Sequence, residues 1–145
     1  MEAHELRRGG AEILAPVLAP HGFRFVPGTV DRGSGGDFAQ GAFVRETRRL
    51  EFSTRAALGL VIYRFGERHA EHEDLLRLQA QGVRLAYPGF SDDPLDGFRD
   101  LASDLSRFGQ VFLGGTDVEL TTAFDQVAAS PRPRGFAALE RPPAL

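Results

Sequence analysis

The sequence predicts an α+β fold: an N-terminal helix, a four-stranded antiparallel meander, then two to three helices packed on one face of the sheet. Three observations carry this. Apolar residues in 3–19 fall at three- and four-residue spacings. Residues 23–65 change to aromatic and β-favouring types broken by turn signals. After Gly66 the helical spacing returns. A run of strands followed by a run of helices packs as layers, with helices covering one side of an antiparallel sheet. Residues 1–130 read as a single domain, and 131–145 as a tail holding four of the nine prolines.

The first helix is predicted over 3–19. Leu6, Gly10, Ile13, Leu14, Val17 and Leu18 make one stripe. Pro20 and Gly22 stop it. Strands follow near 23–31, 38–45, 49–55 and 60–65. The clearest is Arg49–Arg55, where Leu50, Phe52 and Thr54 point one way and the polar residues the other. Pro27-Gly28, Gly33–Gly36, Glu46-Thr47 and Ala57–Gly59 supply the turns. A helix is expected over 69–81, with Leu75, Leu76 and Leu78 among charges. The best helix is 94–108, carrying Leu95, Phe98, Leu101, Ala102, Leu105 and Phe108, with Asp93 as N-cap and Pro94 at its first position. A last helix, 117–129, opens on Thr116-Asp117-Val118-Glu119, a capping box.

Composition excludes whole classes of chemistry. The 145 residues contain no Cys, so thiol nucleophiles, disulfides and cysteine-held metals are out. All 17 basic residues are Arg, which removes Schiff-base and P-loop lysines. Lys and Asn are both absent while Ala, Gly, Pro and Arg abound, the codon signature of a GC-rich, bacterial genome. Net charge −3 argues against a dedicated nucleic-acid binder. No apolar stretch approaches the roughly 20 residues that span a bilayer, and Glu2, Glu5 and Glu12 spoil a signal-peptide pattern. With its only Met at position 1, the chain reads as complete and cytoplasmic, with no membrane association.

Five features are candidate sites. His69, His72 and Glu73 would share a helical face and suit a metal or an acid–base pair, although the spacing is not HExxH. Asp92, Asp93 and Asp96 could hold a hard cation through oxygen ligands, although the stretch lacks the length, glycine and terminal Glu of an EF-hand loop and capping explains Asp93 and Asp96 without a ligand. Gly33–Gly36 lacks the pattern of a phosphate loop and reads as a hairpin turn. Residues 43–68 carry six Arg against three Glu, whereas 69–104 carry eight acids against three Arg. Tyr87 and Phe90 bracket a Pro-Gly turn, which pins a loop to the core or lines a groove.

No nucleophile is found with a base beside it. In size, element order and composition the chain resembles small bacterial domains of the immunity-protein type. That resemblance implies an acidic surface, 69–104, offered to a basic toxin. The expected function is a non-enzymatic, cofactor-free protein-binding module, with Asp92, Asp93, Asp96, Tyr87 and Phe90 as partner contacts. Its partner is another protein or a second copy, and nucleic acid is disfavoured. The alternative is a metal-dependent enzyme using His69, His72 and Glu73. A pocket between sheet and helices is a third reading.

Overall fold

A computed structural model describes residues 1–33 and 36–130. Helix α1 (Ala3–Leu18) runs into a short 3-10 turn, Ala19–His21. Five strands follow: β1 (Arg24–Gly33), β2 (Gly36–Arg45), β3 (Arg48–Thr54), β4 (Leu58–Phe65) and β5 (Arg68–Glu71). Then come α2 (His72–Ala80), α3 (Asp96–Phe108), α4 (Gln110–Gly114) and α5 (Asp117–Ala129). The sheet is an antiparallel meander in the order β1-β2-β3-β4-β5.

The α+β layout is as the sequence predicts, with five strands in place of four. The fifth comes from the segment expected to begin a helix at 69. Gly66 and Glu67 form a two-residue hairpin turn, since Phe65 pairs with Arg68. Gly66 supplies the left-handed backbone (φ +59°) that such a turn requires. The pairing continues to Ile62 and Glu71, and Ala70 is buried within it. Four residues of ladder therefore outcompete the helix, which starts only at His72. Helix α3 starts at Asp96, two residues later than the Pro94 start predicted. Asp93 caps the irregular turn before it: its Oδ1 accepts from Leu95 N at 2.9 Å and its carbonyl from Asp96 N. The capping box of α5 forms as predicted, with Glu119 N donating to Thr116 Oγ1 at 3.1 Å and Thr116 N to Glu119 Oε1 at 2.9 Å. Ser34 and Gly35 of the glycine loop, and the tail 131–145, lie outside the described residues.

One core lies between the sheet and the helices. Along β3, Arg48, Leu50, Phe52 and Thr54 are buried, while Arg49, Glu51 and Ser53 are only half-buried on the opposite face. Phe43, Val61 and Tyr63 share the inner face through direct cross-strand pairing. Against them pack Leu6, Leu14 and Leu18 of α1, Leu75 and Leu76 of α2, Phe98, Leu101 and Leu105 of α3, and Phe112, Leu120 and Phe124 beyond. Each such side chain contributes about 1.5–3 kcal/mol of burial energy. Gly10 lets α1 approach α3 closely, because a Cβ there would stand 2.3 Å from the Phe98 ring.

The basic stretch is largely taken up inside this framework. The Arg48 guanidinium is buried and donates to the carbonyls of Val111, Phe112 and Gly115 and to Asp117. Arg45 donates to His21 O at 2.8 Å and Leu113 O at 2.9 Å. These two arginines satisfy the Phe112, Leu113 and Gly115 carbonyls at the end of α4, which is only five residues long, and add a second donor to Val111 O. Among the described residues, no helix is long and apolar enough to cross a membrane.

A candidate binding loop and its buried anchor

Three polar side chains meet in the core. Tyr63 points inward from β4, His72 is the first residue of α2, and Asp104 stands on α3 among its apolar residues. Tyr63 and Asp104 are 0 % exposed and His72 is 3 % exposed. The Tyr63 hydroxyl lies 2.8 Å from His72 Nδ1, and His72 Nε2 lies 2.9 Å from Asp104 Oδ2. One proton assignment satisfies all three: Tyr63 O–H donates to Nδ1, and Nε2–H donates to the carboxylate. The remaining acceptor capacity of Asp104 goes to the chain. Ala86 N donates to Oδ1 at 2.7 Å and Tyr87 N to Oδ2 at 2.9 Å.

The electrostatics follow from burial and these bonds. Burial by itself would raise the Asp104 carboxyl. The His72 bond and the two backbone N–H groups outweigh it and hold the group below its ordinary value. Burial, aided by the neighbouring Asp104 charge, pushes the Tyr63 hydroxyl well above its ordinary value. The order hydroxyl–imidazole–carboxylate is that of a nucleophile relay. Here the hydroxyl is sealed in the core, so no substrate reaches it. The network works as an anchor.

What it anchors is the connection from α2 to α3. Tyr87 adds a second tie: its hydroxyl donates to the carbonyls of Leu58 (3.1 Å) and Gly59, and its ring stands edge-on to His72 at 5.8 Å. Burial, with the nearby Glu73 charge, pushes the Tyr87 hydroxyl up to about 12. Beyond this fixed base the loop runs into solvent, and Phe90 is fully exposed. Asp92 is exposed beside it. Asp93 and Asp96 both pair with Arg99, at 3.0 and 2.5 Å, and Ser91 donates to Asp96. The Leu95 N–H and Arg99 hold the Asp93 carboxyl below its ordinary value; Ser91 and Arg99 do the same for Asp96. Asp100, on the same stretch of α3, is raised by burial and by Asp96 and Asp104.

The structure thus brings Phe90, Asp92, Asp93 and Asp96 together on one loop and its following turn, while Tyr87 serves at the base. It separates the other candidates. His69 lies on β5 directly across from Arg64, His72 turns into the core, and Glu73 is half-buried near Tyr87. The expected common helical face is lost because the strand-to-helix transition falls between the two histidines. Among the described residues, no group of three or more His, Asp or Glu side chains is placed to hold a metal. The aromatics of the basic stretch, Phe43, Phe52 and Tyr63, face the core, away from Arg49 and Arg64.

Sequence reasoning missed Tyr63 and Asp104. One signal was available for Asp104: it follows Leu101 by three and precedes Leu105 by one, which places a carboxylate on the buried side of α3. Such a group must find donors. Comparison with protein-family models, curated proteins and solved structures finds no match to this chain.

Proposed function

We propose that this chain is a non-enzymatic protein-binding module that offers the loop around Phe90 to a protein partner. One observation carries the reading: a fully exposed phenyl ring projects from a loop whose base is fixed by hydrogen bonds to the buried Asp104 carboxylate and to the Leu58 carbonyl. An exposed aromatic of this kind contributes nothing to the core. Buried against a partner it would yield about 1.5–3 kcal/mol. Aromatic residues are frequent hot spots when a pocket receives them. A fixed base lowers the entropy lost on docking.

The surroundings define the partner. Asp92, Asp93 and Asp96 against Arg99 leave the patch negative, so the complementary surface is an apolar pocket with a basic rim. That matches the immunity- or inhibitor-like role in which an acidic face blocks a basic protein.

The test is capture of the tagged protein from its own host, followed by identification of what co-purifies near stoichiometry. Phe90→Ser should lose the captured partner. Charge reversal at Asp92, Asp93 and Asp96 should do the same while the fold persists. Undiminished capture by both variants would remove the loop from the interface.

A further inference from the structure

The outer face of the sheet carries a second surface, and its chemistry is complementary to the loop. Cross-strand pairing places Arg24, Val44, Arg49, Arg64 and His69 in one row across all five strands. The next row is Val26, Ala42, Glu51, Ile62 and Glu71. Directly opposed residues share a face, so both rows look outward, away from the helices. Glu51 lies between two arginines, 3.0 Å from Arg49 and 2.6 Å from Arg64. Glu51 and Glu71 together offset two of the three arginine charges, which leaves the two rows with a net charge of +1. Beside the first row runs a groove of about 380 Å³, whose lining includes Val26, Leu60 and Ile62 together with Arg49, Arg64 and the Glu51 that pairs with both. Leu60 is 52 % exposed there.

We infer that a second copy of this chain fills this groove, its Phe90 ring among Val26, Leu60 and Ile62 and its Asp92 and Asp93 against the arginine row. The inference rests on the reading of the Phe90 loop as a docking surface. Charge complementarity selects the occupant. Three acids outnumber Arg99 beside the exposed ring, and Arg49 and Arg64 outnumber Glu51 beside the groove. Local charges decide such a contact, because the net charge of −3 is screened beyond about 8 Å at physiological salt. Loop and groove are different surfaces, so the contact is heterologous, and a pair leaves one groove free on one copy and one loop free on the other.

That asymmetry gives a decisive experiment. The mass of the wild-type protein, followed by light scattering and sedimentation, should rise above 15.8 kDa with concentration and fall back in high salt. Phe90→Ser removes the ring, and the double variant Arg24→Glu, Leu60→Glu spoils the groove. Each alone should associate at least about tenfold more weakly, a 1.4 kcal/mol effect. Mixed, they should form a one-to-one dimer and nothing larger, because each supplies the half the other lacks. Circular dichroism confirms that both variants fold; if the double variant does not, Arg24→Glu alone replaces it. A wild type that stays monomeric, association that survives Phe90→Ser, or a mixture that stays monomeric overturns the inference. Host capture separates the two readings. A partner lost on Phe90→Ser, with no self-association, leaves the loop as a docking surface and sinks only the second copy.

Discussion

Replacing Asp104 with Asn tests whether the buried network anchors the fold. The carboxylate accepts three hydrogen bonds, from His72 Nε2, Ala86 N and Tyr87 N. Asn offers a single oxygen. Turned to the Oδ2 position it keeps His72 and Tyr87, and its amide then faces the Ala86 N–H. Turned the other way it keeps Ala86 and faces two donors. The first orientation costs less. It orphans one buried donor, about 1–3 kcal/mol, and converts two charge-assisted bonds into neutral ones. Part of this is returned because no charge remains buried. The net loss is about 2–3 kcal/mol, or about 10 °C in Tm for a chain of this size. Urea and thermal unfolding followed by far-UV circular dichroism read it directly. A loss below about 0.5 kcal/mol would refute the anchoring argument.

The same variant carries a pH signature. The folded Asp104 carboxyl lies below its ordinary value of 3.8. Between the folded and unfolded values, the unfolded chain binds more protons. The contribution of Asp104 is therefore complete above about pH 4. It is lost as pH falls through the folded value. Glu51, Asp93, Asp96 and Glu119 titrate in the same direction, so wild type loses stability in acid for several reasons. The difference between wild type and Asp104→Asn isolates the buried group, and it should shrink as pH falls below 4. A difference that grows in acid would contradict the assigned sign.

Three further outcomes follow from packing. Gly10→Ala ordinarily favours a helix by about 1 kcal/mol; here the added methyl meets the Phe98 ring, so unfolding experiments should show a loss of about 1–3 kcal/mol. Arg48→Met fits the buried volume but leaves the Phe112 and Gly115 carbonyls without their donor, while Val111 keeps the Gly115 N–H, and should cost about 3 kcal/mol in urea denaturation. Phe90→Ser should leave Tm within a degree or two of wild type, since the ring touches nothing it stabilises; a larger drop would mean that the loop tip belongs to the fold.

Local rules explain which parts were readable from the sequence. The alternation of Leu50, Phe52 and Thr54 against Arg49, Glu51 and Ser53 reports a sheet with one buried face, and the structure has it. The Thr116–Glu119 capping box involves four neighbouring residues, so no distant part of the chain is needed to form it. Strand β5 was not readable. Arg68–Glu71 has no strand-like sequence of its own, and becomes a strand because β4 offers an unpaired edge. The arginines of 43–68 read as a solvated basic patch, while Arg45 and Arg48 in fact serve carbonyls more than 60 positions away. The spacing around Leu101 and Leu105 marks Asp104 as a buried carboxylate, but its partners were not readable for the same reason: Tyr63, His72 and Asp104 come from three elements, and no spacing rule joins them. The loop residues Phe90, Asp92 and Asp93 were legible because they are exposed and local.

The meander has a kinetic counterpart. Every strand pairs with its sequence neighbour, so the sheet needs only short loop closures and can assemble quickly as the chain emerges. Helix α1 is made first, and part of its stripe can settle on the first hairpins. Gly10, however, waits for Phe98, which is synthesised 88 residues later. Until then the apolar side of α1 that belongs to α3 stands open on the nascent protein. During that interval the chain exposes apolar surface that the native fold covers, the kind of surface through which incompletely folded chains aggregate.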